Sequence, residues 1–176
     1  MKRKGYIQVY TGDGKGKTTA AIGLAIRAAG RGKKSYIAQF MKKGEYGELI
    51  AIRKYLSHYI NIQQFGLPDF HFKGDPVTDK ERMAALEGLD TVRSVLKSGE
   101  YDIIILDEIN ILLNFKIIDI GLVLEILDDK PDDIELILTG RNAPEEILKR
   151  AHLITDMKNV KHYYDQQVSA RLGIEK

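Results

Sequence analysis

The chain has 176 residues, 44% of them hydrophobic and 30% charged, with no cysteine and a formal net charge of +2. This length and apolar content suit a single domain with a sizeable core and exclude a disordered chain, while the missing cysteine excludes disulfides, thiolate metal sites and a cysteine nucleophile. Lys2-Arg3-Lys4 is too short a basic run for a nucleic-acid footprint, and the apolar stretches fall short of the ~20 residues of a membrane span, so a soluble cytoplasmic protein with no nucleic-acid or membrane partner is expected.

Apolar runs alternate with helical stretches. Residues 6–10 read as a strand, followed at once by a glycine-rich turn and an alanine-rich helix over 18–29. Residues 35–40 and 60–65 read as two more strands, whereas 66–76 carry no regular pattern. Thr78-Asp79-Lys80-Glu81 has the form of a capping box, opening a helix with Met83, Leu86, Leu89 and Leu96 on one side and Gly99 as its stop. Residues 101–106 include Ile103-Ile104-Ile105-Leu106, which lacks polar alternation and therefore predicts a central strand buried on both faces. Asp119 caps a helix over 120–127 that Pro131 ends, 134–138 form a fifth strand, and Asn142 with Pro144 opens a helix over 141–150. The alternation predicts one α/β domain over 1–176 with a mostly parallel sheet. The tail from 159 onward has no assigned element.

Thr11-Gly12-Asp13-Gly14-Lys15-Gly16-Lys17-Thr18 lies between a predicted strand and helix, the context that gives such a motif meaning. Small residues let backbone N–H groups approach phosphate oxygens, and the helix N-terminus adds a favourable dipole. Lys17 supplies a point charge and Thr18 a hydroxyl for magnesium. The usual spacing begins with glycine, where this chain has Thr11. Asp107-Glu108 follows the buried strand, at the sheet end where α/β folds bind ligands. One or two carboxylates suit magnesium, which keeps several waters. Glu108 can equally orient water as a general base, and the residue pattern does not separate the two roles. A nucleoside triphosphate with Mg2+ is the expected ligand, and an arginine-rich kinase lid is missing.

These residues, with others in order along the chain, resemble the ATP:corrinoid adenosyltransferases of cobalamin biosynthesis. Thr11 to Thr19 is similar to the family's Thr-Gly-x-Gly-Lys-Gly-Lys-Thr-Thr, and Gln39-Phe40, Gly47-Glu48 and Asp107-Glu108 also match. So do Thr139-Gly140-Arg141 with Ala143-Pro144, Val160-Lys161-His162 and Gly173-Ile174-Glu175. Phe70-His71-Phe72 is matched to a Phe-x-Trp element near the corrinoid. Gln167 stands where a glycine is usual, and the N-terminal extension of longer members is expected to be absent.

The resemblance implies a three-layer P-loop NTPase fold of the RecA-like kind and transfer of the 5′-deoxyadenosyl group of ATP to the cobalt(I) of a reduced corrinoid, with triphosphate leaving. It implies catalytic roles for Lys17, Thr18 and Glu108, and nucleotide contacts from Thr11 through Thr19 and from Arg141, Lys161 and His162. Thr18, Asp107 and Glu108 hold the metal, and Glu48, Phe70 and Phe72 face the corrinoid. A flavoprotein reductase as partner, a homodimer and a tail over 159–176 that closes the site complete the expectation. Cobalt(I) is itself the nucleophile, so the protein's tasks are orientation, leaving-group stabilisation and exclusion of water. The competing reading is a RecA-like ATPase or NTP-dependent switch that hydrolyses ATP at the terminal phosphate.

Overall fold

The computed structural model describes residues 4–68 and 76–175. In chain order the elements are β1 (Ile7–Thr11), α1 (Lys17–Ala29), β2 (Ser35–Phe40), α2 (Gly47–Ala51, continued by a π-helical turn Ile52–Leu56), β3 (Ile60–Phe65), α3 (Asp79–Ser98), β4 (Ile103–Asp107), α4 (Ile109–Asn114), α5 (Ile120–Asp128), β5 (Glu135–Thr139), α6 (Glu145–Arg150) and β6 (Leu153–Asp156). A 3-10 turn follows at Tyr163–Gln166.

The six strands form one sheet in the order β3-β2-β4-β5-β1-β6, and every pairing is parallel. Side chains alternate between the two faces of a strand, and here each face has its own core. Ile104, Leu106, Leu136 and Leu138 pack with Ala85, Leu89 and Val92 of α3, Leu112 of α4 and Ile126 of α5. Ile103, Ile105 and Ile137 pack on the other face with Ala21 and Ala25 of α1 and Leu49 of α2. The result is three layers, and β4 is buried along its whole length, as its unbroken apolar run requires.

Several helix boundaries follow the local chemistry. Thr78 caps α3: its Oγ1 accepts from Glu81 N at 3.3 Å while Glu81 Oε2 accepts from Thr78 N at 2.8 Å. Gly99 ends that helix at φ +67°, and Asp119 Oδ1 caps α5 by accepting from Gly121 N at 2.7 Å. The apolar face of α3 matches the expected one at Leu89 and Leu96 but not at Met83 and Leu86. Ala85, Gly88, Leu89, Val92 and Leu96 face the sheet, whereas Met83 is 70% exposed and Leu86 lies at the margin. Small residues made the true face look weak: Gly88 sits where a Cβ would come within 2.5 Å of the Phe40 ring and 2.8 Å of Phe65.

The helix expected over 141–150 begins only at Glu145, because Asn142 takes φ +54° and breaks the helical run. β1, β4 and β5 each extend at least one residue beyond the expected end, to Thr11, Asp107 and Thr139. Hydrophobicity stops before backbone pairing does: Thr11 still pairs with Asp156, and Gln39 with Asp107. α2, α4 and β6 were not anticipated, being short elements, and β6 is exposed throughout. No helix among the described residues is long and apolar enough to cross a membrane.

Substituting Gly88→Ala should overpack the contact with Phe40 and Phe65 and cost about 1–3 kcal/mol. Urea denaturation should show a lower midpoint with an unchanged m-value. A midpoint within error of the parent protein would contradict this packing.

Candidate functional site

β1 runs directly into the phosphate loop. Thr11 is still in the strand, and its Oγ1 accepts from Ala143 N at 3.2 Å, so the usual glycine is not needed at that position. Gly12 takes φ +91° and Gly16, which precedes α1, takes φ +119°, conformations that favour glycine. Gly12 and Gly14 also lie hard against the chain after β6. A Cβ on Gly12 would approach Asp156 Oδ1 to 2.2 Å, and one on Gly14 would come within 2.6 Å of the carbonyl oxygens of Met157 and Lys158. Gly14 N donates to Met157 O at 2.6 Å, fixing the loop from outside.

Lys17 is buried and folds back over the loop, donating from Nζ to the carbonyl oxygens of Gly12 at 2.6 Å and Gly14 at 2.7 Å. Burial lowers its pKa, opposed chiefly by the charge of Glu108. Asp13 and Thr19 are exposed, and Lys15 reaches the tail, with Nζ 3.5 Å from Glu175 Oε1.

Beneath the loop sits Asp107, 1% exposed, the last residue of β4. Its Oδ1 accepts from Thr18 Oγ1 and from Thr139 Oγ1, both at 2.7 Å. Its Oδ2 accepts from Lys42 Nζ at 3.0 Å and Gln39 Nε2 at 3.2 Å. Gln39 also donates to Glu48 Oε1 at 3.2 Å and accepts from Gln64 Nε2 at 3.2 Å. Glu48 is thereby tied into this network and lies 3.8 Å from Lys42 Nζ. For Lys42, burial pulls the pKa down, but Asp107, Glu108 and Glu48 together raise it above the ordinary lysine value.

Glu108 turns the chain from β4 into α4 at φ +64°, with its N–H donating to Thr139 Oγ1 at 2.9 Å. Burial first, and then the charge of Asp107, push its carboxyl above the ordinary 4.5, against the pull of Lys42, Lys17 and Arg141. Gly140 at φ +128° packs on Asn110, whose Nδ2 donates to Gly140 O at 3.3 Å. That contact sets where Arg141 leaves the sheet.

These segments surround a cleft of about 730 Å³ at the carboxyl ends of the strands. Lys15, Lys17, Thr18, Thr19, Lys42, Glu48, Glu108, Arg141 and His162 line it, together with Gly173–Glu175 of the tail and Ile22, Gly23 and Ile26 of α1. His162 therefore reaches the cleft, whereas Lys161 is exposed and lies outside its lining. Phe70 and Phe72 fall outside the described residues. A second cleft of about 540 Å³ borders Ile60, Asn61 and Tyr101 at the amino ends of β3 and β4. It contains none of the motif residues, and parallel sheets bind ligands at the opposite end. Sequence reasoning gave no role to Lys42 or Gln64 and matched Gln39 only by resemblance. The available signal was a glutamine at the penultimate position of the buried run Ser35–Phe40.

The tail folds onto itself around Glu175, which accepts from the hydroxyl of Tyr163 and from Arg171 N at 2.9 Å. Gln167 takes φ +61°, in the left-handed region that favours glycine.

Residues 3–175 match the family model described as ATP:corrinoid adenosyltransferase BtuR/CobO/CobP. The chain is 33% identical over 176 residues to a corrinoid adenosyltransferase of Sinorhizobium sp., covering 98% of this chain and 80% of that protein. It is 32% identical over 175 residues to the corrinoid adenosyltransferase of Escherichia coli K12, covering 98% and 86%. It is also 33% identical to an uncharacterized protein of Nostoc sp., covering 90% of this chain but only 45% of that longer protein. Among solved structures, the KaiC-like protein PH0186 of Pyrococcus horikoshii aligns with TM-score 0.58 and 17% identity, over 90% of this chain and 74% of that one. That likeness shows the fold, the RecA-type P-loop NTPase architecture.

The raised Glu108 pKa has a definite sign. Folding favours its neutral form relative to the unfolded chain, so its contribution to stability is present below pH 4.5 and is lost as pH rises through the folded value. Glu108→Gln should therefore raise the melting temperature of the ligand-free protein at pH 8, with the gap closing toward pH 4. A pH-independent difference would contradict this.

Proposed function

The chain belongs to the ATP:corrinoid adenosyltransferase family, and from that premise we propose that its cleft holds ATP on the phosphate loop and presents the 5′-carbon to a reduced corrinoid. The new bond joins cobalt to the 5′-carbon. The bond from that carbon to the triphosphate oxygen breaks, and its electron pair leaves with triphosphate. The observation that best supports this use of the cleft is the 2.7 Å contact of Thr18 Oγ1 with Asp107, within one network that also includes Lys42 and Glu48.

Inward N–H groups of the loop, with Lys17, Lys15 and Arg141, would stabilise charge on the departing triphosphate. Lys17 would exchange the carbonyls of Gly12 and Gly14 for phosphate oxygens. His162 would contact the nucleotide from the cleft wall, and Lys161 from the tail beside it. The donor set suits magnesium: Thr18, Asp107 and Glu108 offer only hard oxygens, the ligands that a hard divalent cation prefers. Such an ion also keeps waters and shares phosphate ligands. When bound, magnesium would neutralise triphosphate charge. Glu48 would face the corrinoid from the cleft wall, and the resemblance gives the same role to Phe70 and Phe72, which lie outside the described residues. Residues Gly173–Glu175 line the cleft and Glu175 lies near Lys15, which supports the tail as its cover. A flavoprotein reductase that delivers cobalt(I), a homodimer and a cytoplasmic location complete the reading, on the strength of the family.

Incubation with magnesium, ATP and chemically reduced corrinoid should yield adenosylated corrinoid and triphosphate in equal amounts. ADP and phosphate formed without corrinoid would overturn the reading in favour of a hydrolase. Lys17→Ala should lower kcat/KM by about a hundredfold or more, the scale of a lost charge-stabilising donor. Glu175→Ala should free the tail, visible as faster limited proteolysis after residue 160, and raise the KM for ATP several-fold with the fold intact. Unchanged proteolysis and KM would remove the tail from the site.

A further inference from the structure

Asp107 accepts hydrogen bonds from four side chains: Thr18 and Thr139 on Oδ1, Lys42 and Gln39 on Oδ2. An ionised carboxylate offers about four lone-pair sites, so a further direct partner requires one donor to leave. Among the four, Lys42 alone is charged, and it hangs on a flexible four-carbon stem. Thr139 and Gln39 are fully buried, and Thr18 is held in the first turn of α1. The Lys42 side chain is 18% exposed, lines the same cleft as Lys17 and Thr18, and has a second anion, Glu48, 3.8 Å away. Two cations cannot share one carboxylate oxygen at contact distance without strong repulsion.

We propose that Lys42 is the resident cation of the Asp107 carboxylate. It occupies the position at Oδ2 that a divalent ion would take, and it gives up that position only when a triphosphate in the cleft offers its ammonium another anionic partner. The protein then takes up a divalent ion together with nucleotide and scarcely at all without it. This rests on the reading of Asp107 as a metal-binding carboxylate, and it is independent of the corrinoid.

The test uses Mn2+ as probe, followed by electron paramagnetic resonance on the full chain with and without ATP, for the parent protein, Lys42→Met, Lys42→Gln, Asp107→Asn and Lys42→Met combined with Asp107→Asn. Without nucleotide, Lys42→Met should bind Mn2+ at least about tenfold more tightly than the parent, the scale of coupling between close charges. The combined variant should lose that gain. Lys42→Gln, a polar replacement, should shift in the same direction and keeps the comparison open if the methionine variant folds poorly by circular dichroism. The proposal is overturned if the parent binds free Mn2+ as tightly as the Lys42 variants, or if the gain persists without the Asp107 carboxylate. Mn2+ binding in the presence of ATP that is insensitive to Asp107→Asn would instead remove the metal-site reading, and this proposal with it. Adenosylation of corrinoid, scored separately, reports on the reaction alone.

Discussion

A carboxylate that is 1% exposed governs the architecture of this site. A buried charge is tolerated only when paired and hydrogen-bonded, and removing a partner from such a pair typically costs about 3–5 kcal/mol. Asp107 meets the requirement by drawing donors from β2, the loop after it, α1 and β5. Apart from β2 and the loop that follows it, those segments are far apart in sequence, so the same bonds that make Asp107 tolerable also set the phosphate loop, Lys42 and the β5 turn at fixed positions around one cleft. Thr139 links further, since the hydroxyl that donates to Asp107 accepts from Glu108 N. The strained turn at Glu108 is thereby held by the same network.

The phosphate loop has a comparable double attachment. Its glycines are usually explained by the approach of backbone to phosphate, but Gly12 and Gly14 also touch the chain after β6, where no side chain fits. β6 is exposed along its length and adds little to the core. Its placement beside β1 nevertheless brings Asp156, Met157 and Lys158 against the loop, so an edge strand serves chiefly to shape the site. Thr11 illustrates the converse. Being inside β1, it has no need of glycine's freedom, and its hydroxyl ties the loop to Ala143 instead.

Both signs of charge meet at the cleft. Lys15, Lys17, Lys42 and Arg141 stand against Glu48, Glu108 and Glu175 in its lining and Asp107 beneath it, and the opposed shifts of Lys17 and Lys42 show how local the balance is. Lys17 is lowered because burial outweighs its anionic neighbours, while Lys42 is raised because Asp107, Glu108 and Glu48 outweigh its burial. A cleft built this way is suited to a polyanion that arrives with its own cation, because each added charge meets one already in place.

Sequence by itself determined the layered α/β plan, the phosphate loop between β1 and α1, the buried β4 with its terminal carboxylates, and the caps of α3 and α5. Each of these depends on neighbours within a few residues: a run of isoleucines, a Thr with Glu three positions on, glycines before a Lys-Thr pair. Tertiary structure alone decided which face of α3 is buried, where the functional strands end, and which polar residues converge on Asp107. Gly88 and Ala85 form a core face because bulky Phe40 and Phe65 fill the space opposite, which no helical periodicity discloses. Lys42, Gln39 and Gln64 acquire meaning only across the sheet, where parallel pairing aligns the carboxyl ends of β2, β3 and β4. Such contacts join residues separated by tens of positions, and their energy comes from desolvated charge meeting its partner, a quantity that exists only once the chain has folded.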